Sequence, residues 1–433
     1  MHKSLQYLCI TLTASETLRR LRFFPRGPLV SSVKERVQRL YTSSRCVQKS
    51  DIFVHVYDLM LKCVRFLYMS WSPEKPHNEL PPLPPSADLE TIAVLKALVN
   101  ARAEVSGLDE ALVSLPNPRV FVNSLALLEA QASSEIENIV TTTDELFRAE
   151  TNDADATPAT REALRYKVAL FHGQERMRER AGLIMVGMAT DICSEIRGTT
   201  TSIRHGEGTY IGNPVTGRRI YTPPTGKQII EDKLRNWEHF INTDTELDPL
   251  VQMAVAHYQF EAIHPFDDGN GRTGRILNVL MLVAKHLLRE PILYISQYII
   301  QHKNDYYRLL NAVTESGAWE EWIIYMLHAV ESTARSTRLK IKAIQGLQEE
   351  FSSQLLEGIG SQYPVGLSEV LFEQPYCRVR DVVERCGVSR QTATKYLKAL
   401  VDVDLLAQRQ AGRENLYVNT RFIQILQASE LEL

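Results

Sequence analysis

The 433-residue chain has little cysteine: six thiols, at positions 9, 46, 63, 193, 377 and 386, in no spacing that suits a metal site or a disulfide framework. That scatter argues against a secreted, disulfide-stapled protein and for a reducing, cytoplasmic setting. Long hydrophobic runs are also missing. The most apolar stretch, near Ile276 to Leu288, contains Lys285 and His286, so no membrane span is expected. The apolar opening from Leu5 to Ala14 has a poor cleavage signal, which argues against secretion. Charge of one sign is lacking too, since a net charge of −3 supplies no global field to recruit nucleic acid. Nor does a Gly-Lys-Ser/Thr follow the one glycine-rich phosphate-type loop, which excludes a Walker site. What is present is enough apolar material, 44% of the residues, to bury a substantial core in two or three units.

The chemistry is concentrated in one string, His264-Pro-Phe-Asp-Asp-Gly-Asn-Gly-Arg-Thr-Gly-Arg275. Gly269, Asn270 and Gly271 can aim successive N–H groups at one point, and such a nest before a helix is an anion site. Ile276, Leu277, Val279, Leu280, Val283, Leu287 and Leu288 recur at helical spacing and predict that helix. Arg272 and Arg275, three apart, share a face and can grip two phosphates, while Asp268 stands where a hard cation would bridge them. A neutral imidazole at His264 suits removal of a proton from an attacking hydroxyl. Phe266 is expected in the core. The whole reads as a small nucleoside-triphosphate site.

His264, Phe266, Asp268, Gly269, Asn270, Gly271, Arg272 and Arg275 meet every fixed position of His-x-Phe-x-Asp/Glu-Gly-Asn-Gly-Arg-x-x-Arg, so the chain resembles the Fic family of protein adenylyltransferases. The resemblance spans roughly Asp88 to Met326. It implies transfer of AMP from ATP to a Tyr, Thr or Ser hydroxyl of a target protein, including the chain itself, with release of pyrophosphate. His264 would be the general base, Asp268 the Mg2+ ligand, Asn270 and Arg272 phosphate contacts, and Arg275 the γ-phosphate contact. Gly271 stands where Doc-type kinases carry Lys, which favours AMP transfer over phosphorylation. Other nucleotide or phosphocholine donors are not excluded by the motif.

Upstream, Gln131-Ala-Ser-Ser-Glu-Ile-Glu-Asn-Ile-Val140 continues a helical pattern through Leu125, Leu127, Leu128, Ala132, Ile136 and Ile139, and places Ser133 and Glu137 four apart on one face. Alone this is a weak pattern. Beside the resemblance, Ser133, Glu137 and Asn138 match the family's inhibitory Ser/Thr-x-x-x-Glu-Gly/Asn. That match implies a Glu137 carboxylate occupying Arg275, the cation meant for the γ-phosphate.

Ile203 to Thr222 carries Gly206, Gly208, Gly212 and Gly217, with Tyr210-Ile211 and Ile220-Tyr221 around Asn213-Pro214-Val215-Thr216-Gly217, and predicts a hairpin. The resemblance makes it a flap that clamps a target segment by strand-like pairing. It also makes Tyr306 and Tyr307 candidate contacts to the adenine. Trp319 and Trp322 are expected in the core.

The expected fold is mainly α: a Fic-type helical bundle with a β-hairpin flap, plus a C-terminal winged helix. Residues 1–68 hold 12 Lys or Arg against 4 Asp or Glu and half the cysteines, and read either as an accessory extension or as the product of an upstream start assignment, with Met69 then the expected natural start. A Pro-rich lead-in at Pro81, Pro82, Pro84 and Pro85 follows. Helices are predicted from Asp88, over Thr160 to Ala181, and from Asp248-Pro249 into His264. The expected units are 69–150, the N-terminal helical region with the inhibitory helix; 151–345, the catalytic core; and 355–433. In the last, Val379 to Leu400 reads as helix-turn-helix, with a wing around Ala411-Gly412-Arg413-Glu414. Arg390, Gln391, Thr394, Lys395 and Lys398 could face a DNA groove, yet 9 Lys or Arg balance 10 Asp or Glu there, so protein recognition or self-association into a homodimer competes with DNA. Two alternatives to a transferase stand: a nucleotide-responsive DNA-binding regulator, against which an intact His264 argues, and removal of AMP from modified targets, with Glu137 positioning a water.

Overall fold

The computed structural model describes residues 71–115, 118–151, 156–213, 216–359, 363–364, 366–411 and 414–428, so the extension at 1–68 and the start at Met69 lie outside the described residues. Five helices come first: α1 (Ile92–Val113), α2 (Pro118–Ile136), α3 (Thr143–Thr151), α4 (Pro158–Glu179) and α5 (Val186–Arg197). An antiparallel hairpin follows, β1 (Ile211–Gly212) with β2 (Arg219–Tyr221), pairing Ile211 with Tyr221 and Gly212 with Arg219. Next are α6 (Lys227–Asn242), α7 (Pro249–Ile263), α8 (Asn270–Ala284), α9 (Ser296–Gln301), α10 (Lys303–Ser316) and the long α11 (Trp319–Ile359). The remainder is α12 (Leu367–Glu373), β3 (Tyr376–Cys377), α13 (Val379–Cys386), α14 (Arg390–Asp402), β4 (Ala407–Ala411), β5 (Glu414–Val418) and α15 (Thr420–Gln427). None of the helices among the described residues is long and apolar enough to cross a membrane.

Helix α7 is the centre of the bundle. Asp248 caps it, its Oδ1 accepting from Leu250 N at 2.8 Å, and Pro249 opens it, as the Asp-Pro pair predicts. Every residue from Leu250 to Ile263 except Glu261 is buried, the pattern of a helix enclosed on all sides. It packs against α6, α8 and α11. The indoles of Trp237 and Trp322 donate to its Ala256 and Ala254 carbonyls at 3.0 and 2.8 Å. Trp322 is in the core as expected, and Trp319 packs edge-on against Tyr258. Helix α1 starts on the Thr91 hydroxyl and turns Val94, Ala97, Ala101, Val105, Leu108 and Leu112 inward, mostly against α11. Glu104 of α1 adds ion pairs to Arg335 and Arg338.

One expectation needs correction. Helix α8 stops at Ala284, because His286 adopts the left-handed conformation (φ 57°), so Leu287 and Leu288 lie beyond it. The Pro-rich lead-in is packed against the bundle. Leu80 and Leu83 are buried, and the Asn236 amide accepts from Leu83 N (2.7 Å) and donates to its carbonyl (2.9 Å).

Helix α11 runs unbroken from the bundle into the C-terminal elements. There α13, a left-handed Gly387 (φ 64°) and the Ser389-capped α14 bury Val382, Ala393, Leu397 and Leu400, and the three-stranded sheet has the order β3-β5-β4. This assembly is tied back by Lys340 Nζ donating to Leu426 O (2.8 Å) and by a two-pronged Arg421–Glu350 pair at 2.7 Å. It also reaches α3, where the Tyr376 hydroxyl donates to Asp144 and its ring stacks on Phe147 at 6.2 Å.

Candidate active site

The motif lies in the turn between α7 and α8, the two most enclosed helices. His264 caps α7 in the left-handed conformation (φ 51°, ψ 61°), and Gly269 (φ 85°) opens α8. A non-glycine residue in that region is uncommon and needs its surroundings to hold it there. Buried Arg204 does so: its guanidinium donates to the carbonyls of His264 (2.6 Å), Ile263 (3.0 Å) and Pro224 (2.6 Å), while its backbone N donates to Pro265 O (2.9 Å). Replacing Arg204 with Ala strands these three carbonyls and is expected to cost on the order of 3 kcal/mol, read as a lower urea midpoint at unchanged m-value.

Inside the turn, Phe266 is buried against Phe260, as expected. The Asn270 Oδ1 accepts from Phe266 N and its Nδ2 donates to Phe266 O, both at 2.8 Å, so the side chain staples the loop. By helix geometry the first N–H groups of α8 have no acceptor within the helix. They form an anion-favouring end with Gly271 at its second position.

Half-buried His264 is held neutral: desolvation first, then Arg204, push its pKa down to about 4, and Nδ1 has no hydrogen-bond partner. Asp268 is largely exposed. One carboxylate oxygen accepts from Gly269 N (2.7 Å) and the other pairs with Arg197 (2.8 Å). Below the turn, Cys193 Sγ donates to Asp268 O at 3.3 Å.

Both motif arginines are buried and engaged by carboxylates from the N-terminal helices. Arg272 pairs with Glu162 of α4 at 2.6 Å. Arg275 donates through Nε to the Ser133 hydroxyl (2.8 Å), and through one terminal nitrogen to Ser133 O (2.9 Å) and Glu137 Oε1 (3.0 Å). Ser133 lies in the last turn of α2, but Glu137 is just past its end, so the two do not share a helical face as the spacing predicts. Asn138 explains the difference. It is left-handed (φ 64°), and Ile139 N donates back to Ser134 O at 3.0 Å, the closing bond of a helix terminus that favours Gly or Asn. Gly271 faces the same pair: a Cβ there would sit 2.4 Å from Glu137 Oε1 and 2.9 Å from the Arg275 guanidinium, so any side chain would disrupt this contact.

The paired tyrosines separate. Tyr306 is buried, its hydroxyl 2.8 Å from His257 Nε2 and its ring tilted against Trp322, so it packs in the core. Tyr307 is 43% exposed and stands near Glu137 and Arg275, with burial first and Glu137 second pushing its pKa up to about 12. Sequence reasoning missed Arg204, Glu162 and Arg197, and also Glu261, one turn before His264, whose pKa burial pushes up to about 7 and whose Oε1 has no partner. Nothing local marks them, since each acts on a residue distant in the chain or hidden in the core.

The family model described as Fic/DOC family matches residues 190–282, and that of the Fic/DOC family N-terminal region matches 95–175. The chain carries a Fic domain preceded by a Fic/DOC N-terminal region. A third model, protein adenylyltransferase SoFic-like, C-terminal domain, matches residues 347–422. Protein adenylyltransferase Fic of Drosophila virilis is 32% identical over 113 residues, 25% of this chain and 22% of that one. Protein adenylyltransferase fic-1 of Caenorhabditis elegans is 35% identical over 85 residues, 17% of each. The chain thus spans about a fifth of the length of the curated relatives it matches. Among solved structures, a Fic family protein from Desulfovibrio desulfuricans G20 aligns over 76% of this chain and 96% of its own, at 20% identity and a TM-score of 0.43. A Fic domain-containing signaling protein from Bacteroides thetaiotaomicron VPI-5482 aligns over 57% and 97%, at 16% identity and a TM-score of 0.45.

Proposed function

We propose that this chain is an autoinhibited protein adenylyltransferase that moves AMP from ATP to a hydroxyl of a target protein or of itself. The observation that carries the reading is a neutral His264 fixed beside the N-terminus of α8, with the cations Arg272 and Arg275 on the same helix. His264 takes the proton of the acceptor hydroxyl as its oxygen bonds to the α-phosphorus; the bond from that phosphorus to the bridging oxygen breaks, and pyrophosphate leaves with the electron pair. The open end of α8 and Arg272 neutralise charge on the phosphates.

A Mg2+ ion fits the donor set, because Asp268 offers an exposed hard oxygen ligand, and this ion is commonly held by one or two carboxylates together with substrate phosphates. When bound, it would supply charge neutralisation on the triphosphate. Arg275 is the residue under contest: paired with Glu137 it is withheld from the γ-phosphate, which leaves ATP in an unproductive pose. The hairpin β1–β2 is suited to hold an extended target segment by main-chain pairing, and the C-terminal elements follow the order of a winged helix that engages a protein or DNA partner. A reducing compartment supplied with ATP suits the free thiols Cys193, Cys377 and Cys386.

The reading is tested by incubating the Glu137→Gly chain with ATP labelled at either the α- or the γ-phosphorus. Label retained on protein only from the α position is expected. Retention of the γ label would make the chain a kinase and overturn the assignment.

A further inference from the structure

The helix whose last turn holds Ser133 carries a buried carboxylate that the proposed mechanism does not use. Glu129 lies one turn before Ser133 on the same face of α2 and is 3% exposed. Its Oε1 accepts from the Tyr166 hydroxyl of α4 (3.1 Å) and from the Ser296 hydroxyl, and its Oε2 accepts from Ser296 N (3.3 Å), at the first residue of α9. Among the described residues, no Lys or Arg forms an ion pair with it. A buried carboxylate with no ion-pair partner is costly unless its lone pairs are satisfied, so these donors, with the charge of Arg275 nearby, are what keep it in place. Burial raises its pKa to about 7, the mark of a group kept inside against its own solvation.

The placement of these bonds matters more than their number. Arg275 can reach Ser133 O and Glu137 Oε1 with one terminal nitrogen only if the end of α2 sits at one depth and one rotation. The C-terminal end of that helix has few other fixed points: the Lys303 ammonium on Ile136 O (2.6 Å), and Gln131, which ties the helix to Thr141 O and the Thr143 hydroxyl. Glu129 supplies a buried one, joining α2 to α4 and α9 a single turn before the contact with Arg275.

We propose that Glu129 is a positioning residue of the inhibitory contact: it fixes α2 to α4 and α9, and so sets Ser133 and Glu137 against Arg275. This rests on reading the Glu137–Arg275 pair as inhibitory. Loss of the hydrogen bonds that Glu129 accepts then activates the enzyme without touching the catalytic turn, and it does so only while Glu137 is present.

The test measures self-labelling from α-labelled ATP, together with urea midpoints, in the full chain. Glu129→Ala is expected to raise labelling about tenfold, through loss of the buried hydrogen bonds. Glu129→Gln, whose amide oxygen still accepts from Tyr166 or Ser296, stays within about twofold of the unaltered chain. Combined with Glu137→Gly, Glu129→Ala adds nothing, whereas a merely structural residue would lower activity in both backgrounds. Should Glu129→Ala fail to fold, Tyr166→Phe removes one of the same donors with little change in packing and is expected to activate in the same direction by a smaller factor. The proposal is overturned if the folded variants label at the unaltered rate, or if Glu129→Ala still activates when Glu137 is absent. Absence of label from Glu137→Gly itself would remove the transferase reading, and this proposal with it.

Discussion

Replacing Glu137 with Gly is expected to raise self-labelling from α-labelled ATP by about 30-fold, the factor to which ~2 kcal/mol of charge-assisted hydrogen bonding corresponds. Among the described residues the carboxylate is the one charged group that accepts from Arg275; the other two acceptors, the hydroxyl and carbonyl of Ser133, are neutral. Glycine also suits the end of α2, where the chain already turns left-handed at Asn138, so the substitution opens the site without straining it. On the proposed reading, in which ATP already binds in an unproductive pose, the gain should appear in kcat more than in the affinity for ATP. An unchanged rate, with nucleotide still bound, would mean that Arg275 is not withheld by Glu137 and that inhibition resides elsewhere.

In that activated background, His264→Ala is expected to lower transfer by about a hundred- to ten-thousand-fold, the usual worth of a positioned general base. ATP binding should persist, since the phosphate-facing groups are the start of α8 and the two arginines. The urea midpoint should also stay close to that of the parent, because Arg204 holds the turn through the backbone carbonyls of residues 263 and 264 and not through the imidazole. A variant that kept most of its transfer rate would remove His264 from proton transfer and direct attention to Glu261, the other titratable group within one turn of it on α7.

The catalytic turn was legible because its chemistry is contiguous: twelve residues carry the base, the exposed carboxylate, the helix start and both cations. The rest depended on contacts that one-dimensional spacing does not contain. Arg204 reaches the His264 carbonyl across 60 positions, and Glu162 meets Arg272 across 110. Asn270 is local, yet its direction is set by the turn itself, which leaves Phe266 N and O for it to satisfy. Tyr306 and Tyr307 differ because adjacent residues on a helix point about 100° apart, so one of them must face inward, and pattern alone does not say which. Pattern likewise extended α8 through Leu287 and Leu288, which are apolar at the right spacing but follow a left-handed His286.

Glu137 and Arg275 are 138 positions apart, with the carboxylate first. Chains are synthesised from the N-terminus at roughly 5–20 residues per second. The α2 segment is therefore made on the order of 10 s before the arginine it meets. If Glu137 is the restraint proposed above, the turn at His264 is born into a chain that already contains it, and no interval arises in which a finished site waits to be silenced. With the order reversed, every round of translation of such a transferase would release a briefly active enzyme among unfinished chains rich in exposed hydroxyls.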